Sequence, residues 1–373
     1  MNVGFFIDKS QTVQSILGLL LESINRGHNC TVFSTCSSEC LNSDLHDSID
    51  VSRVDWRNYG DRNKVKREVI ANADLYHALV GINLFNVIWR DIYETQNLPT
   101  NVYSVEYCWN EIYNHQDNYT GSTTLFSNSE WSKNTIEELT GYSSVKFLGS
   151  PWFELIKRFK IENRSKDKFI TFMAPHNSFV GNYPGFLNKT YLFLEGLREY
   201  CDKSGFNLVL KTRQKYNHVL SNVIRFDQII SDSNALDHLC AYSNSECVIN
   251  FSSSAINELS FLEIPSMCVF PDLHSNLHKS RDNLFRAMGK INQKYYSGDI
   301  FDGNHCQKIE SSDFVDYETF RLSVEKNIEK LDSLISSQNR DWKKFQEDYF
   351  PGNHVGAASR IIDLIEKECF SSK

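Results

Sequence analysis

Short apolar runs alternate with amphipathic helical stretches along this chain, and they do so in two successive series. Continuous apolar runs of this kind mark parallel strands buried on both faces. In the first series Val3–Ile7 reads as a strand. The helix after it places Val13, Ile16, Leu17, Leu20 and Ile24 on one face and stops at Gly27. Cys30–Phe33 returns as a second strand. Strand-like runs follow at 73–80, 101–105, 123–126 and 145–148, with a helix through Ile136 and Leu139 between the last two. The second series restarts at Phe169–Ala174. Its further strands read at 208–210, 223–230, 247–251 and 267–270, and its helices pass through Leu187–Leu197, Leu236–Cys240 and Ile256–Leu262. A closing helix carries Val355, Ala358, Ile362 and Ile365 on one face.

Two βαβ series predict an α/β chain of two Rossmann-like domains. The expected division is a domain over 1–156, a charged connection over 157–168 (KRFKIENRSKDK) and a domain over 169–350. A helix in 351–373 is expected to pack back toward the first domain. No GxGxxG follows the first strand, so the dinucleotide fingerprint is absent. The length of 373 residues suits this plan, and 13% aromatic residues exclude wholesale disorder. A net charge of −8 argues against nucleic acid as a partner through a broad basic surface, while leaving room for a local basic pocket. The 10 cysteines form no CxxC pair and no metal spacing, which predicts reduced thiols in a cytoplasmic protein. The first residues carry no signal-peptide pattern. The longest apolar stretch, Ile16–Leu21, falls far short of the roughly 20 residues of a membrane span.

Open α/β sheets bind ligands beyond the carboxyl ends of their strands, and two such domains are expected to face each other across a cleft. The residues just after each strand are therefore the candidates. The first domain offers Asp8, Lys9, Ser10, Glu106, Glu111, Asn128 and Ser129. The second offers His176, Asn177, Lys211, Arg213, Asp232, Ser252, Ser253, Ser254, Asn257 and Glu258. The most pointed segment is CVINFSSSAINELSFLEIP, 247–265, in which a buried strand runs into three serines that open a helix. Free N–H groups with hydroxyls beside them bind a phosphate or diphosphate. The same serines also serve as ordinary N-caps, with Glu258 in the first turns. His274 and His278 stand at i, i+4, but no further ligand pattern accompanies them, so no metal site is expected.

The order strand, Ser-Ser-Ser-Ala, Asn-Glu, apolar helix, Ile-Pro and strand resembles the nucleotide-binding half of GT-B glycosyltransferases. Their relatives include UDP-GlcNAc 2-epimerases, CDP-glycerol transferases and bacterial Kdo transferases. FSNSEW (126–131) and FLGSPW (147–152) look like the end of the first half in that group, and YFPGNHVGAASRI (349–361) is similar to its closing helix. The resemblance implies a metal-independent glycosyltransferase of bacterial surface polysaccharide synthesis, such as lipopolysaccharide or capsule. Its partners would be a nucleotide-sugar donor and a saccharide or lipid-linked saccharide acceptor. It also leaves room for peripheral contact with the inner face of the membrane or with other polysaccharide-assembly enzymes.

One departure bears on the donor: Lys211-Thr-Arg213 stands where the group usually has His-Pro. Two cations suit a donor that carries its own carboxylate, which points to CMP-Kdo. The Kdo-transferase resemblance then implies a retaining double displacement, with Asp232 as the carboxylate nucleophile; an Asx turn or N-cap is its plainer role. Glu106 and Glu111 are the alternatives for activating an acceptor hydroxyl, with Tyr107 and Trp109 stacking on a sugar face. His176, Asn177, Ser252–Ser254, Asn257 and Glu258 would hold the donor. Two other readings stay open: a CDP-glycerol-type polyol-phosphate transferase or a sugar-nucleotide 2-epimerase, and a non-catalytic GT-B-like binding module.

Overall fold

The computed structural model describes residues 1–7, 10–38, 53–82, 100–106, 122–159, 167–174, 186–213, 219–232, 237–251, 255–270, 302–310 and 317–371. The chain divides into two compact units. The first is built mainly from Met1–Leu155 and Pro351–Lys373, the second mainly from Ile156–Ser233 and Asp237–Phe350.

The first unit is a seven-stranded, wholly parallel sheet among the described residues. Its strands are β1 (Asn2–Ile7), β2 (Asn29–Ser34), β3 (Val54–Asn58), β4 (Ala78–Ile82), β5 (Asn101–Val105), β6 (Thr124–Phe126) and β7 (Val145–Lys146). They lie in the order β3-β2-β1-β4-β5-β6-β7. Burial explains the choice of residues: Val3, Phe5, Ile7, Val32, Phe33, Val80, Ile82 and Val102 are all shut off from solvent. The helix Ser10–Asn25 covers the sheet with Val13, Ile16, Leu17 and Leu20. Gly27, at φ +78°, closes it, with the N–H of His28 returning to the carbonyl of Ser23.

The helix Ala357–Ser371 joins this unit through Arg26. That guanidinium reaches Asp363 at 2.6 Å, Glu366 at 3.0 Å and the hydroxyl of Ser359 at 2.6 Å. Ile361, Ile362 and Ile365 are buried on its inner face, whereas Val355 precedes the helix and is exposed.

The second unit is a six-stranded parallel sheet among the described residues. It contains β8 (Phe169–Met173), β9 (Asn207–Arg213), β10 (Gln228–Asp232), β11 (Ser245–Phe251), β12 (Ser266–Phe270) and β13 (Cys306–Glu310), in the order β10-β9-β8-β11-β12-β13. Helices Phe186–Ser204 and Tyr317–Ser336 cover one face, where Leu194, Leu197, Leu331 and Leu334 pack on Ile170, Phe172, Leu208, Leu210 and Ile249. Cys247 and Cys268 are buried inside their strands, as their apolar surroundings in sequence imply.

Several local expectations change. The 73–80 run is a 3₁₀ turn (Ala73–Leu75) followed by β4. The 223–230 run shortens to β10, because Asp227 is drawn out of the strand by Arg198 at 2.6 Å and by the N–H of Leu208 at 2.7 Å. The charged connection is helical at its start, since the helix Pro151–Phe159 runs into it. Strands β3 and β13 and helices Arg62–Ala71, Tyr317–Ser336 and Trp342–Tyr349 were not expected from the apolar pattern. No helix among the described residues is long and apolar enough to cross a membrane.

Candidate functional site

In both sheets the strand order reverses beside the first strand of the series: between β1 and β4, and between β8 and β11. Chains leaving the carboxyl ends of two such strands diverge to opposite faces and leave a crevice, the usual ligand position in doubly wound sheets. In the second unit those strands are neighbours in register, with Phe172 beside Ile249. Pro175-His176-Asn177 follow the end of one, and Ser252-Ser253-Ser254 follow the end of the other. His176, Asn177 and the three serines lie outside the described residues. The helix Ala255–Leu262 begins immediately after the serines. Its buried face is Ala255, Ile256, Leu259 and Leu262, which leaves Asn257 and Glu258 half-buried in the first turns.

Lys211 lies one strand away, on β9, where its register partners are Met173 on one side and Ile230 on the other. The residue is buried, and its ammonium stands 5.9 Å from the centroid of the Tyr242 ring. The ring's negative face favours the cation there. Tyr242 itself had no sequence signal; it lies in the last turn of the helix Asp237–Ser243, three residues after the buried Leu239. Arg213 and Asp232 are the last residues of β9 and β10 and are paired in register. Their side chains lie outside the described residues.

In the first unit the described residues just beyond β5 and β6 bind one another. Glu106 follows β5 and is fully buried. One carboxylate oxygen accepts the N–H of Asn128 at 2.8 Å, and the other accepts the hydroxyl of Ser132. Asn128 returns a bond from its amide to the carbonyl of Glu106 at 2.8 Å and accepts from the Ser150 hydroxyl at 3.0 Å. Ser129 caps the helix Glu130–Thr140 through the N–H of Ser132 at 3.0 Å. Burial pushes the Glu106 carboxyl up to about 7, against the two hydrogen bonds that favour its ionised form. Three of the residues expected to line an open edge, Glu106, Asn128 and Ser129, are joined here in one hydrogen-bonded network. Asp8, Lys9, Glu111, Tyr107 and Trp109 lie outside the described residues, as does the side chain of Ser10.

The same network extends into the two motifs that flank the second unit in sequence. The N–H of Ser150 donates to Nδ1 of His354 at 3.0 Å, and the His354 ring packs edge-on against Phe147 and Phe153. Glu154 accepts the N–H groups of Gly356 and Ala358, each at 3.1 Å, and so caps the closing helix. Arg360 donates to the carbonyls of Leu148, Asn353 and Val355. Gly149 (φ +95°) and Gly352 (φ +137°) admit this packing, because a Cβ on the first would strike the Asn353 carbonyl and on the second the Phe147 ring. The glycines of the 147–152 and 351–358 stretches were the readable signal for it.

Among the described residues no group of three or more His, Cys, Asp or Glu is arranged to hold a metal ion.

No family model matches the chain, and no curated protein does. Solved structures do match along its whole length. A UDP-GlcNAc 2-epimerase from Methanocaldococcus jannaschii, in complex with UDP-GlcNAc and UDP, aligns with a TM-score of 0.59 at 12% identity, covering 98% of this chain and 99% of that one. Arabidopsis thaliana UGT89C1 complexed with UDP aligns at 0.57 and 10% identity over 98% of this chain and 99% of that one. The wall teichoic acid polymerase TagF, soaked with CDPG, aligns at 0.57 and 12% identity over 100% of this chain and 90% of that one. The chain therefore has the two-Rossmann-domain GT-B fold that these proteins share.

Proposed function

We propose that this protein is a GT-B enzyme acting on a nucleotide-activated sugar, with the donor held by the second unit and the sugar passed to a saccharide or lipid-linked saccharide acceptor. What supports the reading is the strand order: in sequence, His176-Asn177 and Ser252–Ser254 come just after the two strands that flank the reversal, and Lys211 lies on the next strand. Amides at a helix start, serine hydroxyls and one buried ammonium suit a phosphate or diphosphate without a metal. That three proteins of this fold were solved with UDP-GlcNAc and UDP, with UDP, or with CDPG supports the same class of ligand.

Within that class, a CMP-linked ulosonic acid such as Kdo fits the Lys211 and Arg213 pair best. A fork of donors matches a sugar carboxylate as well as a phosphate. Asp232, at the end of β10, is the carboxylate we assign as nucleophile of a retaining transfer. Thermal melts with CMP, CDP, UDP and GDP test the class, followed by product analysis with CMP-Kdo and a saccharide acceptor. Stabilisation by one nucleotide is expected; no shift with any of the four refutes the reading.

A second reading, sugar-nucleotide epimerisation, is favoured by the full-length match to the epimerase. Incubation with UDP-GlcNAc alone, followed by proton NMR, separates the two, because an epimerase needs no acceptor.

A further inference from the structure

One level of side chains across the second sheet is polar where the level behind it is apolar. Met173 ends β8 and is the register partner of Lys211 on β9. On the other side of β8, Asn250 follows Ile249, the partner of Phe172, and is itself the partner of Cys268 on β12. Register partners in a parallel sheet share a face, so Lys211, Met173, Asn250 and Cys268 form one transverse row. Their predecessors Leu210, Phe172, Ile249 and Met267 point to the opposite face, into the apolar core. The row lies at the carboxyl end of β8 and spans the strand-order reversal between β8 and β11. Lys211, Asn250 and Cys268 are buried, and Met173 is half-buried.

The row is braced from within and from above. The Cys268 thiol donates to Oδ1 of Asn250 at 3.3 Å. The Lys211 carbonyl accepts the N–H of Ala174 at 2.8 Å, which ties its backbone to the end of β8. Tyr242, from the helix Asp237–Ser243, is fully buried and touches both members of the Met173–Lys211 pair. Its hydroxyl donates to Sδ of Met173 at 3.2 Å, and the Lys211 ammonium stands over its ring. A lysine carries its charge on a long flexible stem, and a ligand that must order that stem binds more weakly for it. A buried ring, anchored through its own hydroxyl, restricts the stem beforehand, and the negative face of the ring favours the charge.

We infer, resting on the donor reading above, that Tyr242 is a positioning residue of the donor site. It acts through Lys211, holding the ammonium where it meets the phosphate or carboxylate of the donor.

The test uses the full chain and whichever of CMP, CDP, UDP and GDP raises its melting temperature most, with Kd measured by calorimetric titration. Tyr242 is replaced by phenylalanine (Tyr242→Phe) and, by codon suppression, by phenylalanines carrying one, two and three ring fluorines. Shape is nearly constant along this series, while the negative face of the ring is drained stepwise. Kd is expected to rise with each fluorine, by about fivefold from phenylalanine to the trifluoro ring. The same series in a Lys211→Met background is expected to be flat, because the ammonium is gone. A role in packing alone would move both series alike. A Kd that stays level with Lys211 in place, or rises as steeply without it, would overturn the inference and leave the donor reading standing. If none of the four nucleotides binds the parent, the donor reading fails and the inference falls with it. Thermal melts of each ligand-free variant separate weak binding from loss of fold.

Discussion

The buried carboxyl of Glu106 makes the stability of the first unit depend on pH in a direction opposite to that of ordinary paired carboxylates. Burial moves it from its usual 4.5 to about 7. Below pH 4.5 it is protonated in both folded and unfolded chains and no charge is buried. Between 4.5 and 7 the unfolded chain ionises first, so stability falls as pH rises, levelling off above 7. The full change is about 3 kcal/mol, from 1.36 kcal/mol for each pH interval of one. His28, whose pKa is lowered mainly by burial, titrates with the opposite sign nearby, so the parent protein alone is not diagnostic.

The variant E106Q isolates the effect. A glutamine can still accept from the Asn128 N–H while donating to the Ser132 hydroxyl, which reverses its role without moving. Urea denaturation of parent and E106Q at intervals from pH 5 to 8 is the assay. The variant is expected to gain on the parent with rising pH, by about 2.5 kcal/mol between pH 5 and 8. A difference that stays flat across this range would show that the carboxyl ionises as readily in the fold as in the unfolded chain, and the reasoning would fail.

Replacing Arg360 by Lys is expected to destabilise nearly as much as Ala, by about 2–4 kcal/mol, because one ammonium cannot span the carbonyls of Leu148, Asn353 and Val355; thermal melts would show it. Gly149→Ala and Gly352→Ala each force a Cβ into a neighbour at positive φ and should cost upwards of about 3 kcal/mol, read as loss of soluble protein or of the thermal transition. Lys211→Met keeps the packing on Tyr242 but removes the charge. It should raise the Kd of any stabilising nucleotide about tenfold, read by titration followed by thermal melts. Cys201, Cys247 and Cys306 are buried, and burial raises their thiols, so mass spectrometry after iodoacetamide should find them unmodified in the native protein and labelled after denaturation.

The strands were legible where burial on both faces made them uniformly apolar: Val3–Ile7, Cys30–Phe33 and Cys247–Phe251 needed nothing else. Strand β3 was hidden because it lies at the sheet edge and reads VDWRN, with polar residues that face water. The helix Tyr317–Ser336 was hidden because its core contacts, Val324, Leu331 and Leu334, are diluted by charged residues on the outer face. The strand-end candidates could be placed by counting, and β8 and β11 do flank the strand-order reversal. What sequence could not supply was the fate of each polar group. Glu106, Asn128 and Ser129 look alike as exposed strand-end residues or as a closed network, and only their hydrogen bonds tell the two apart.

The first unit is assembled from both ends of the sequence, with the entire second unit in between. During synthesis its sheet must therefore wait, with the surface that later receives Ile361, Ile362 and Ile365 uncovered, while the other half is made and can fold by itself. At translation rates of about 5–20 residues per second the delay lasts on the order of ten seconds or more. Truncation before Pro351 would prolong it indefinitely, leaving Arg26 with Glu22 but without Asp363 and Glu366, and a nascent chain suited to capture by chaperones.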